Sequence, residues 1–120
     1  MKYVLVADDE IINQSVFEEM LCDSYEVKIV ANGQECLDAI AERQPDLLLL
    51  DVAMPVLDGL EVCKRLRAEQ KTSTLPIIMV SAYASNADRE KGLSAGANQY
   101  ISKPFDVIQV SQLVKNTIGK

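Results

Sequence analysis

Leu47-Leu48-Leu49-Leu50-Asp51-Val52-Ala53-Met54-Pro55 joins four consecutive leucines to an aspartate and a proline-containing turn. An apolar run without alternation is the pattern of a strand buried on both faces, and such strands occupy the centre of parallel sheets. This strand stops on a carboxylate. Tyr3-Val4-Leu5-Val6-Ala7 does the same, running into Asp8-Asp9-Glu10. Ionised groups at the edge of a core carry a desolvation cost unless they are paired or solvated, so two buried strands that end in acid point to a site.

Outward from these two strands, β-rich runs alternate with helical patterns along the chain. The predicted strands are 2–7, 26–30, 46–50, 77–81 and 99–102. The first helix carries an apolar stripe of Ile12, Val16, Phe17, Met20 and Leu21; the second Cys36, Leu37, Ile40 and Ala41; the third Val62, Cys63 and Leu66. The last carries Val110, Leu113, Val114 and Ile118, with Asp106 as its N-cap and Gln109 placed for a capping box. The fourth, predicted over 86–95, has little stripe beyond Ala87 and Leu93 and holds Gly92 in its interior, at a cost of about 1 kcal/mol relative to alanine. Mobility is expected of it. Pro45, Pro55, Pro76 and Pro104 all fall in connections. Strict βαβ alternation implies an α/β fold, a parallel sheet with helices on both faces and right-handed crossovers. The ligand crevice of such a sheet lies outside the carboxyl ends of the strands, where the strand order reverses.

The 120 residues suit one domain, 1–120, and 48% hydrophobic with 25% charged residues is a globular profile. No apolar run approaches the ~20 residues that span a bilayer. The N-terminus lacks the apolar region and cleavage site of a signal peptide, so the expected location is cytoplasmic. Three cysteines, Cys22, Cys36 and Cys63, occur without a CxxC pair and without any histidine, and are expected to be reduced thiols packed on helices. A net charge of −6 argues against nucleic-acid binding, which needs a basic surface for the phosphates.

In this fold Asp8 and Asp9 end the first strand, Asp51 the third and Ser81 the fourth, while Lys103 lies just past the fifth. All five converge on one rim. Singly, each has a plainer reading: Asp8 or Asp9 capping the first helix, Ser81 satisfying a loop backbone, Lys103 a surface lysine. Together they suit phosphoryl transfer onto a carboxylate, provided the repulsion between anions is offset. Magnesium prefers oxygen ligands at about 2.0–2.1 Å, which Asp9, Asp51 and a backbone carbonyl just after Asp51 can supply. Lys103 adds a positive charge for a phosphate oxygen and Ser81 a hydroxyl.

These residues stand within longer motifs: Val6-Ala7-Asp8-Asp9-Glu10, Leu50-Asp51-Val52-Ala53-Met54-Pro55-Val56-Leu57-Asp58-Gly59, Val80-Ser81-Ala82, and Ala95-Gly96-Ala97 leading to Tyr100-Ile101-Ser102-Lys103-Pro104-Phe105. With them, essentially the whole chain resembles the receiver domain of two-component response regulators, of the flavodoxin-like chemotaxis type. The resemblance implies five parallel strands in the order 2-1-3-4-5 and a cis bond before Pro104. It implies Asp51 as phosphoacceptor, and Asp9, Asp51 and the Ala53 carbonyl as ligands of Mg2+, for which Mn2+ can substitute. Asp8 completes the acidic pocket, acting through water, and Ser81 and Lys103 contact the phosphate.

Phosphorylation adds about −1.5 to −2 charges beside Ser81 and draws its hydroxyl inward. In the family, the aromatic at the position of Tyr100 then rotates into the vacated space and remodels the face of the fourth helix, fifth strand and fifth helix. The plainer reading of Tyr100 is an edge-strand aromatic with its hydroxyl in water. Ala53 and Tyr83, each two residues past a site residue, border the water that removes the phosphoryl group. Ala53 is expected to give that water no help and Tyr83 to shield the phosphoryl group. The implied donor is a histidine kinase or a histidine phosphotransfer protein, acting ahead of a downstream protein target or output domain. The resemblance also allows a phosphorylation-dependent dimer through the switching face, with no direct nucleic-acid or membrane contact. It describes a signalling domain whose only chemistry is its own phosphorylation and slow dephosphorylation.

Three other functions fit less well. A haloacid-dehalogenase-like phosphohydrolase needs an acid/base carboxylate two residues after its nucleophile, where this chain has Ala53. A flavin mononucleotide carrier needs a phosphate-binding loop after the first strand, where Asp8-Asp9-Glu10 repels anions. A degenerate receiver used only for binding would lack motif residues that are all present. Met1 just before the first strand favours a natural N-terminus, and the end at Gly119-Lys120 leaves no output domain, so a stand-alone receiver and a piece of a longer regulator or hybrid kinase are both expected.

Overall fold

The computed structural model describes residues 1–119. Its strands are β1 (Tyr3–Ala7), β2 (Glu26–Val30), β3 (Leu47–Leu50), β4 (Ile77–Ser81) and β5 (Gln99–Ser102). Between and after them come α1 (Ile11–Leu21), α2 (Gly33–Glu42), α3 (Gly59–Ala68), α4 (Asn86–Ala95) and α5 (Val107–Ile118), with a short 3-10 turn over Gln70–Thr72. The strands form one parallel sheet in the order β2-β1-β3-β4-β5, as the resemblance implies. Lys103-Pro104 is cis, also as implied. No helix among the described residues is long and apolar enough to cross a membrane.

The leucine run is central because both of its faces are covered. Leu48 and Leu50 join Leu5, Ala7, Ile77 and Met79 in a core under α2, α3 and α4. Leu47 and Leu49 join Val4, Val6, Ile78 and Val80 in a second core under α1 and α5. A one-residue slip would exchange the two sets, so the register is held from both sides.

Helix ends are fixed by side chains. Asn32 accepts the Glu35 N–H, Asp58 the Glu61 N–H, and Asp106 the N–H groups of Ile108 and Gln109. The capping box expected on the last helix occurs instead on α4, where Ser85 and Asp88 satisfy each other's backbone. Two apolar stripes also need correction. Ile12 is exposed, because it lies about 140° round α1 from Phe17. Ala41 is exposed for the same reason relative to Cys36, and Ala39 is buried in its place. Cys36 and Cys63 are buried on α2 and α3, whereas Cys22 is exposed at the end of α1 rather than packed; all three are free thiols.

Two further contacts position the functional rim. Phe105, two residues past Lys103, stacks on Phe17 of α1 with ring centroids 4.9 Å apart. Arg67 at the end of α3 donates to the carbonyls of Gly96 and Thr72 and to Asn98 Oδ1, tying α3 to the turn between α4 and β5.

Candidate functional site

The carboxyl ends of β1, β3 and β5 bring Asp8, Asp51 and Lys103 together. Asp51 is 4% exposed, and its backbone N–H donates to the Ala7 carbonyl, which holds the two acidic strand ends side by side. Asp51 Oδ1 accepts the Ala53 N–H at 3.2 Å, and Oδ2 accepts from Lys103 Nζ at 2.8 Å. Asp8, also buried, accepts the Glu10 N–H on Oδ1 at 2.9 Å and Lys103 Nζ on Oδ2 at 2.9 Å. The Lys103 side chain is only 10% exposed, far from a plain surface lysine. Its backbone N–H donates to the Ser81 carbonyl, which anchors the loop that carries it.

Asp9 is exposed, yet carboxylate oxygens of Asp8, Asp9 and Asp51 all lie within 4.8 Å of one another. These three carboxylates form a donor set of hard oxygens suited to a divalent cation of the magnesium type. The electrostatics agree with the geometry. Burial pushes the Asp51 carboxyl above its ordinary value and repulsion from Asp8 adds to this, while Lys103 and the Ala53 N–H only partly oppose it. For Lys103, burial disfavours the ammonium, but its bonds to Asp51 and Asp8 outweigh that and hold it above the ordinary lysine value. Asp8, Asp51 and Glu10 share this one ammonium, so negative charge is in excess at the site.

The turn after Asp51 is tightly built. The Gly59 N–H donates to the Val52 carbonyl at 2.9 Å, and a Cβ on Gly59 would come within 2.2 Å of the Asp51 carbonyl oxygen. Val56 adopts a φ of +71° in a three-residue turn closed by the Leu57 N–H and the Pro55 carbonyl, a costly conformation for a β-branched residue.

Ser81 is buried, and its hydroxyl accepts the Tyr83 N–H at 3.1 Å. It therefore does satisfy a loop backbone while standing at the rim. Tyr100 is 4% exposed and its hydroxyl donates to the Tyr83 carbonyl at 2.5 Å, so its hydroxyl is not left in water. The ring lies against Gly92, where a Cβ would meet Tyr100 Cδ2 at 2.6 Å. The glycine that weakens the fourth helix on paper thus makes room for this ring. Tyr83 is 53% exposed and, with Ala53, Asp9, Lys91 and Tyr100, lines a cleft of about 600 Å³ beside the acidic pocket.

Sequence reasoning missed one member of the site. Glu10 Oε1 is 3.3 Å from Lys103 Nζ. Its signal lay in the Asp8-Asp9-Glu10 run: a glutamate at a helix start, where serine, threonine, aspartate or asparagine is preferred, leaves its side chain available for another partner.

The family model of the response regulator receiver domain matches residues 4–115. The response regulator MprA of Mycobacterium avium is 43% identical over 105 residues, which cover 88% of this chain and 45% of that protein. The chain thus spans about half the length of the curated relatives it matches. Among solved structures, the receiver domain of a sensor histidine kinase from Pseudomonas aeruginosa, described with a magnesium ion coordinated in its active-site cleft, is 34% identical. Its TM-score is 0.90, with 99% of this chain and 98% of that one covered. The chemotaxis protein CheY4 of Vibrio cholerae is 30% identical with a TM-score of 0.90, covering 98% of each chain. The agreement extends from sequence to strand order and covers nearly the whole chain: it belongs to the response regulator receiver domain family.

Proposed function

We propose that this chain is a phosphoacceptor of two-component signalling and that Asp51 takes the phosphoryl group. The observation that supports this most is the shared lysine: Lys103 Nζ is within 2.9 Å of both buried carboxylates, while Asp9 stands open beside them. In the proposed reaction an Asp51 carboxylate oxygen attacks the phosphorus of a phosphohistidine on a histidine kinase or histidine phosphotransfer protein. The new O–P bond forms as the P–N bond breaks, and the electron pair stays on the imidazole nitrogen. Lys103 meets the phosphoryl oxygens with its charge and Ser81 with its hydroxyl, both from fixed positions. Mg2+, or Mn2+ in its place, held by Asp9, Asp51 and the Ala53 carbonyl with Asp8 acting through water, supplies the remaining neutralisation of charge.

Ala53 offers no acid or base to an attacking water, and the Tyr83 ring at the cleft shields the product. The group is therefore held for a time rather than turned over, as suits a signal and not a hydrolase. The inward Tyr100, bonded through its hydroxyl to the loop after Ser81, supports a switch in which the phosphoryl group is sensed by Ser81 and read out on α4, β5 and α5. The downstream target or output domain, and a phosphorylation-dependent dimer through that face, belong to the same proposal, as do the extent of the unit over residues 1–120 and its cytoplasmic setting.

The test is incubation with acetyl phosphate and magnesium. The expected result is one acid-stable, base-labile phosphoryl group per chain, lost in Asp51→Asn. Continuous release of phosphate without a stable label would indicate an enzyme, and absence of label a binding module.

A further inference from the structure

Asp8-Asp9-Glu10 connects the end of β1 to the start of α1, and its middle residue is the open member of the acidic pocket. Asp8 and Asp51 are buried and each is held by Lys103. The Asp9 carboxylate is exposed, and none of the hydrogen bonds at the rim reaches it. Where its oxygens lie is therefore decided by the backbone on either side of it.

Both peptide units that flank Asp9 are held by side chains. In the unit that follows it, the Glu10 N–H donates to Asp8 Oδ1 at 2.9 Å. In the unit that precedes it, the Asp8 carbonyl accepts from Gln14 Nε2 at 2.6 Å. Asp8 is itself part of the pocket, whereas Gln14 is a neutral, half-buried residue in the first turn of α1. The backbone N–H of Gln14 also donates to the Glu10 carbonyl at 3.0 Å, so one residue grips the chain on both sides of Asp9. The side-chain bond adds nothing to the hydrogen-bond ladder of α1, because the Asp8 carbonyl lies ahead of the N-cap, Glu10. Among the described residues that carbonyl accepts no other bond.

We propose that Gln14 is a positioning residue for the divalent cation. Its side-chain amide fixes the Asp8–Asp9 peptide, and through it keeps the Asp9 carboxylate beside those of Asp8 and Asp51. A donor set held in place beforehand binds more tightly, because less freedom is lost when the ligand arrives. Without the amide the cation must order Asp9 itself, while the net charge of the pocket is unchanged. The inference rests on the reading of Asp9 as a ligand of the metal.

The experiment titrates magnesium into the full chain, followed by NMR, for the wild type, Gln14→Met, Gln14→Ala and Asp9→Ala. Methionine keeps the length and neutrality of glutamine and lacks the amide; alanine removes the whole side chain. The expected result is roughly two- to tenfold weaker magnesium binding in both Gln14 variants, the range set by one hydrogen bond. Hydrogen exchange of the α1 amides from Phe17 onward, measured without metal, is expected to stay as in the wild type, which separates a misplaced ligand from a loosened helix. Unchanged magnesium affinity in the Gln14 variants, or a loss accompanied by faster exchange along α1, overturns the role of Gln14 alone. A wild type that binds no magnesium, or Asp9→Ala binding it as tightly as the wild type, overturns that role together with the reading of Asp9.

Discussion

Replacing Gly92 by alanine sets two effects against each other, and the sign of the outcome tests how Tyr100 is held. In an ordinary helix interior the change stabilises by about 1 kcal/mol. In α4 the new Cβ would lie 2.6 and 2.7 Å from Tyr100 Cδ2 and Cε2 and 2.9 Å from Met79 Sδ. Met79 is fully buried and has no open space to move into, and Tyr100 can give way only toward the cleft it lines, out of its packed position. Overpacking of this kind costs about 1–3 kcal/mol. Displacing the ring also gives up the hydroxyl bond to the Tyr83 carbonyl, worth about 0.5–1.5 kcal/mol. The difference is a net loss centred on about 2 kcal/mol, which for a domain of this size lowers Tm by roughly 6–10 °C. Thermal unfolding followed by circular dichroism measures the loss, and the NMR signals of the Tyr100 ring report its displacement. A variant as stable as the wild type, or more stable, refutes the packing argument and returns Gly92 to the role of a simple helix weakener.

Magnesium, binding the folded state only, is expected to raise Tm, by about 2.7 kcal/mol of stability at a hundredfold excess over its dissociation constant. Asp9→Ala should abolish that rise, and a retained rise would place the metal elsewhere. Tyr83→Ala should shorten the life of the phosphoryl group severalfold while keeping the backbone carbonyl that Tyr100 uses, and a decay no faster than wild type would sink the shielding role. Burial pushes the Cys36 thiol up to about 12 and raises the Cys63 thiol as well. With thiolate nearly absent from Cys36 below that value, a thiol reagent should modify exposed Cys22 quickly in the native protein. Cys36 and Cys63 should react only on unfolding; three fast thiols would contradict the packing of α2 and α3.

The parts of this fold that could be read from the chain are those governed by short-range pattern. Unbroken apolar runs such as Leu47 to Leu50 locate central strands, and alternation with helices forces the acidic strand ends to one rim. Asp51, Asp8 and Lys103 could therefore be placed together although they are far apart in sequence. What escaped reading depends on three-dimensional neighbours. Ile12 and Ala41 fit an apolar stripe by type, but each lies about 140° round its helix from the residue that faces the core, Phe17 or Cys36. Gly92 looked like a defect because the ring that needs its missing side chain comes from β5. Glu10 looked like part of an acidic run because nothing local says that its side chain reaches Lys103. The left-handed Val56 gave no signal, since glycine or asparagine is the residue that advertises such a turn.

The central claim concerns which atom is modified, and chemical trapping addresses it directly. After reaction with acetyl phosphate and magnesium, borohydride reduces an aspartyl phosphate to homoserine, and peptide mass spectrometry locates the change. The account predicts homoserine in place of Asp51, at close to one per chain, with Asp8, Asp9 and Glu10 intact. Homoserine at Asp8 or Asp9, the five-carbon alcohol 5-hydroxynorvaline at Glu10, or no reduced residue at all from protein that binds magnesium, would contradict it.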